Sequence, residues 1–230
     1  ILGTLHHLYF TGTPTFVIAL GAMFSALEVV PLAMIGVEAY RNYQRSKVAP
    51  WVQAYKWSIL CFIAVGFWNV VGAGLLGFSI NTPIALYYMQ GMNMTAAHGH
   101  AALFGVYGML GIGLLLFCLR GLSSRLAWSD RLLAGMFWTL NGGLAMMVFI
   151  SLVPAGIYQA WASMTQGMWF ARSPEVVHSH FMETMVWLRV PGDVVFAVGT
   201  VLLAWFALRL LRGASTSQPS TLPLAGTHRA

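Results

Sequence analysis

The residues best suited to chemistry are two histidine pairs, His6-His7 and His98-Gly99-His100, in a chain of 230 residues that is 58% hydrophobic and only 8% charged. A neutral imidazole nitrogen ligates iron, copper or zinc well, whereas burying one beside lipid without a partner is costly. Two pairs in one apolar chain predict redox chemistry at metal inside a membrane. In a helix, residues i and i+2 project about 200° apart. His98 and His100 therefore cannot both reach one ion, and the spacing predicts two centres. Gly99, with Ala96, Ala97, Ala101 and Ala102 around it, keeps the helix thin enough for two flat macrocycles to approach from opposite faces. Adjacent His6 and His7 can converge on a single ion only from a turn, which Gly3, Gly12 and Pro14 permit. His178 and His180 stand near Glu175 and Glu183 and read as solvated loop residues, while His228 carries no signal.

Glu28 is the other residue with chemical promise. It is bounded by Phe24, Ala26, Leu27 and Val29 in the middle of an apolar stretch. An ionisable group at membrane depth is a functional residue by default, because its desolvation has to be offset by something. A carboxyl held there can store or pass a proton; the structural alternative is a neutral acid hydrogen-bonded between helices. Glu38, beside Tyr40 and Arg41, reads as interfacial. Arg189 and Asp193 bracket Pro191-Gly192 and predict an ion pair or a helix-start cap.

The elements that must position these groups are membrane helices. A mean hydropathy of +0.73, with 14 Phe, 9 Trp and 24 Gly, excludes a water-soluble globule. Crossing the hydrocarbon core takes about 20 apolar residues. Five segments reach that length, near 14–40, 54–79, 95–120, 132–168 and 181–211, so the fold class is all-α: a polytopic helical bundle. Pro154 predicts a kink or break in the fourth. The net charge of +6 raises nucleic acid as a partner, but its carriers cluster between apolar runs, which excludes that reading. Arg41, Arg45, Lys47 and Lys56 flank one turn, Arg120, Arg125 and Arg131 another, and Arg209, Arg212 and Arg229 follow the last span. By the positive-inside rule these regions are cytoplasmic, with only Arg172 and Arg189 near the outer face. Both histidine pairs then fall near the outer ends of their segments.

Cys61 and Cys118 lie in apolar runs and read as packing residues. Gly105, Gly108, Gly111 and Gly113 predict close helix packing, and Trp51, Trp57, Trp128, Trp161, Trp169 and Trp187 read mostly as interfacial anchors. The membrane domain is expected over 1–212, with 213–230 a disordered cytoplasmic tail rich in Ser, Thr and Pro. A start at Ile1, without an initiator Met or a basic leader, suggests a piece of a longer polypeptide.

A His-His pair ahead of one helix and a His-x-His on a later one resembles the ligand pattern of the haem-copper oxidase superfamily. The segments HGHAALFGVYG and FSALEVVPL resemble its nitric oxide reductase branch. That resemblance implies a twelve-helix core, of which five spans are here, in a bacterial inner membrane. It implies His6 and His7 as ligands of a non-haem iron (FeB), His98 as the proximal ligand of haem b3, and His100 as an axial ligand of haem b. It implies a catalytic role for Glu28, since a glutamate in this place marks the branch that takes NO rather than oxygen. The WLRVPGD segment resembles the quinol-dependent subgroup, giving Arg189 and Asp193 a role at a quinol head group or a haem propionate. The implied reaction is membrane-bound reduction of two NO to N2O and water with electrons from quinol. A third histidine, a carboxylate and the second haem b ligand would come from the N-terminal part of the same enzyme, without which this chain would not turn over. Cytochrome c-dependent reduction, an oxygen reductase and a non-catalytic membrane haem protein are the alternatives, and a homodimer is left open.

Overall fold

A computed structural model describes residues 5, 6, 8, 11–46, 49–122 and 128–216. Gly3, His7, Lys47, Arg125, His228 and Arg229 lie outside the described residues, as does the tail from 217. Every regular element among the described residues is helical. Five helices are long and apolar enough to cross a membrane: Thr15–Ser46, Lys56–Asn81, Asn93–Leu122, Asp130–Gln166 and His180–Gly213. These match the five expected spans in order and number. The first extends to Ser46 rather than stopping near 40, because Glu38, Asn42 and Arg45 are compatible with a helix and Asn42 Nδ2 donates to Glu38 Oε1 at 3.0 Å. The fifth helix continues to Thr216.

The spans depart from regular α-helix where their sequences require it. The first is interrupted at Glu28, between helices Thr15–Leu27 and Val29–Ser46. Pro31 has no N–H to return to the Leu27 carbonyl and its ring crowds that group, so the ladder breaks one turn before it. Glu28 N–H bonds instead to Ser25 at 3.1 Å. π-helical segments run through Asn69–Leu76, Leu103–Gly108 and Met147–Leu152. The third absorbs Pro154, at the start of helix Val153–Gln166, so the fourth span bends its hydrogen-bond pattern without breaking.

All three π segments converge on Trp68, which is 1% exposed. It stacks on Phe149 of the fourth span at 6.3 Å. Its ring also fills the space beside Gly105, where a Cβ would stand 2.4 Å away. Trp68 Nε1 donates to Asn141 Oδ1 at 2.9 Å, and Asn141 Nδ2 donates to the Phe137 carbonyl at 2.8 Å. The Trp68 and Asn141 polar groups are thereby satisfied within the bundle.

Small residues let the helices approach. Gly143 lies against the Phe196 backbone, and Gly192 and Gly199 meet Met147 and Leu140, so the fourth and fifth spans pack along a glycine seam. Of the expected packing glycines, Gly105 and Gly113 meet the second span at Trp68 and Phe62; Gly108 meets its own helix at Phe104, and Gly111 faces open space. Trp57 is a correction to the interfacial reading. It is buried, donates Nε1 to Asp130 Oδ1 at 2.7 Å, and ties the second span to the start of the fourth.

Candidate functional site

His98 and His100 occupy the regular helix Asn93–Ala102, just before the π segment of the third span. Their rings address different neighbours. His98 lies against the second span: Nδ1 is 2.9 Å from the Gly72 carbonyl, and Cε1 would be 3.1 Å from a Cβ on Gly77. His100 faces the fifth span, its Nε2 3.1 Å from Arg189 Nη2, while its Nδ1 is 2.8 Å from the Ala96 carbonyl. The expectation that this spacing separates the two rings agrees with these partners.

Both tautomers follow from the chemistry of the partners. A carbonyl only accepts, so Nδ1 of each ring donates to it; a guanidinium only donates, so Nε2 of His100 accepts from Arg189. This is the arrangement of a metal-ligating histidine, whose other nitrogen donates to a backbone carbonyl that fixes the ring. Rings lying against different spans suit two separate centres better than one shared ion.

Glu28 is brought to the same region through the second span. Spans one and two pack antiparallel: Gly74 meets Val29, and Gly36 meets Val70. Val29 follows Glu28 directly, while His98 touches the same span at Gly72 and Gly77. The stretch from 72 to 77 thus meets both Val29, the neighbour of Glu28, and the His98 ring. Glu28 is half-buried, in the one-residue gap between two helices.

His6 lies in a short turn folded back along the first span. A Cβ on Gly21 would stand 2.9 Å from His6 N, so only glycine allows that approach. The helix containing Gly21 packs against segment Gly77–Asn81, the segment that meets His98. Among the described residues no group of three His, Cys, Asp or Glu stands close enough to hold an ion. His7, the other expected ligand of a non-haem iron, lies outside the described residues. His178 and His180 are exposed; His178 stands in the turn expected of it, whereas His180 corrects the loop reading, since it is the first residue of the fifth helix.

Arg189 and Asp193 form the anticipated ion pair, Nε to Oδ1 at 3.2 Å. The helix-start alternative is corrected: the helix begins at His180 and passes straight through Pro191. Prolines are tolerated in membrane helices when neighbours pack against them; here Gly192 packs on Met147, and a turn and a half before the proline Ser151 Oγ ties the Met185 carbonyl to the fourth span at 2.7 Å.

Sequence reasoning overlooked two polar residues that organise this region, Asn141 and Gln159. The signal was present, because an uncharged amide inside an apolar span needs a partner as a charged group does. Gln159 Oε1 accepts from both Asn93 N and Asn93 Nδ2 at 3.0 Å.

Five helices long and apolar enough to cross a membrane make this a multi-pass membrane protein, and the chain belongs to the cytochrome c and quinol oxidase polypeptide I family, whose model matches residues 1–195. Within that setting it is 31% identical over 212 residues to a nitric oxide reductase subunit of Stutzerimonas stutzeri. The alignment takes in 87% of this chain and 42% of that protein, so the chain spans less than half the length of the relative.

Proposed function

We propose that this chain is part of a nitric oxide reductase that converts two NO, two electrons and two protons to N2O and water. The observation that carries the reading is the pair His98 and His100, with Nδ1 of each ring held by a carbonyl and the two rings lying against different spans, His98 against the second and His100 against the fifth. His98 would hold haem b3 and His100 haem b, with His6 and His7 contributing to a non-haem iron. When bound, these groups supply electron transfer and the two-iron surface at which NO is reduced. The chain's own residues orient them. The Gly72 carbonyl fixes the His98 ring, and the Ala96 carbonyl fixes His100. Glu28, one residue from the contact of Val29 with Gly74, would store a proton at its carboxylate and release it toward the reaction.

Quinol is the proposed electron donor, with Arg189 and Asp193 at the head group or at a haem propionate. The rest of the active site would come from the N-terminal part of the same enzyme, in the bacterial inner membrane with the C-terminus cytoplasmic. A second reading is favoured by the relative's being named a subunit: the electrons would then arrive from a cytochrome c-type partner chain. Turnover of the complete purified enzyme separates these. The proposal expects NO consumption with a reduced quinol analogue and none with reduced cytochrome c; the reverse would establish the second reading. Copper in place of a third iron, with oxygen consumed rather than NO, would refute both.

A further inference from the structure

The helix that bears both histidines has no cap of its own. Met92 precedes it in extended geometry, and a thioether is a poor acceptor for the first N–H groups of a helix. The Met92 carbonyl takes Thr95 N–H at 2.9 Å and Ala96 N–H at 3.3 Å. Asn93 N–H goes to another span, to Gln159 Oε1 at 3.0 Å, and the same oxygen accepts Asn93 Nδ2 at 3.0 Å. Gln159 is 6% exposed, so bulk water does not compete for that oxygen.

The surroundings make this contact an anchor. Three residues earlier on the fourth span, Gly156 lies against the Met94 backbone, and a Cβ there would stand 2.5 Å from Met94 N. Arg172 donates through Nη1 to the Met168 carbonyl at 2.8 Å and through Nη2 to the Gln90 carbonyl, holding the turn at Gly91, whose φ is +69°. At its other end, the histidine segment stops at Ala102, where the π segment Leu103–Gly108 changes the hydrogen-bond register. Its rotation and depth are therefore set at the outer end.

Helix geometry carries that setting to the rings. At about 100° per residue, Asn93 and His100 share a face nearly two full turns apart, and His98 stands roughly 140° round the axis. The rise places His98 about 7.5 Å and His100 about 10.5 Å beyond Asn93. A rotation or slide at Asn93 reaches both imidazoles undiminished.

We infer that Gln159 is the positioning residue for both histidines, its one carbonyl oxygen fixing the register of the helix that presents them. The inference rests on the reading of His98 and His100 as haem ligands. The test uses the complete enzyme, with electron paramagnetic resonance of the ferric low-spin haem and haem retention as readouts. Gln159→Met removes the acceptor at nearly constant volume. Gln159→Glu keeps an acceptor oxygen, and a carboxylate is favoured at a helix N-terminus. Gln159→Met is expected to shift the low-spin g-values and to lower haem retention, because both rings move with the helix that Asn93 starts. Gln159→Glu is expected to restore both. An unmoved spectrum in Gln159→Met, or equal loss in the two variants, overturns the inference. If Gln159→Met does not accumulate, Asn93→Ala removes one of the two bonds. A smaller shift in the same direction then supports the role and an unmoved spectrum overturns it. Wild-type enzyme lacking low-spin haem would instead refute the haem-ligand reading itself.

Discussion

Gly72→Ala offers the sharpest mechanical test of the site. Gly72 both touches the third span and supplies the carbonyl that orients His98. A Cβ at this position would lie 2.7 Å from the Ala101 Cβ and 2.8 Å from the Ala101 carbonyl carbon. One of those neighbours is backbone and the other a rigid methyl, so neither can rotate away. Relaxing to an ordinary carbon contact of about 3.7 Å moves the two helices apart by roughly 1 Å. The His98 bond, now 2.9 Å, would then stretch well beyond hydrogen-bonding range. Overpacking of this kind costs about 1–3 kcal/mol, and the lost bond about 1 kcal/mol more. Releasing the ring should lower affinity for the haem that His98 is proposed to hold about 10- to 100-fold, the usual cost of removing an outer-shell partner. The assay is the high-spin haem content of the purified complete enzyme by optical spectroscopy, alongside its thermal midpoint in detergent. A Gly72→Ala enzyme with full high-spin haem and an unchanged midpoint would refute both the packing argument and the role of the Gly72 carbonyl.

Other substitutions probe the remaining parts of the account. Asn141→Leu leaves the buried Trp68 N–H without its acceptor and should destabilise by about 1–3 kcal/mol in a denaturation series. Glu28→Ala should sharply reduce NO turnover with both haem spectra retained, and wild-type rates would reduce the residue to a packing role.

Much of this arrangement was legible in the sequence because its causes are local. Runs of apolar residues long enough to cross a bilayer mark the five spans, and the i, i+2 spacing of His98 and His100 already divides their rings between two directions. Pro154 announced an irregularity in the fourth span. Its form, a π segment at Met147–Leu152 and not a break, depends on support from Trp68 and from the fifth span, which residues close in sequence do not reveal. Pro191 shows the opposite case: the Pro-Gly pair reads as a helix start, yet the fifth helix continues through it. Gln159 was hidden for a similar reason, since its partner Asn93 lies 66 residues away. Arg189 and Asp193 were paired from their spacing alone, whereas the contact of Arg189 with His100 joins residues 89 apart and emerges only from the packing of the bundle.

The central claim is that two histidines on one short helix serve two different centres. Optical and electron paramagnetic resonance spectra of the complete enzyme carrying His98→Ala and, separately, His100→Ala test it most directly. His98→Ala is expected to abolish the high-spin haem signal while low-spin haem b is largely retained, and His100→Ala to do the converse. Loss of the same centre in both variants, or a normal high-spin spectrum in His98→Ala, would contradict it.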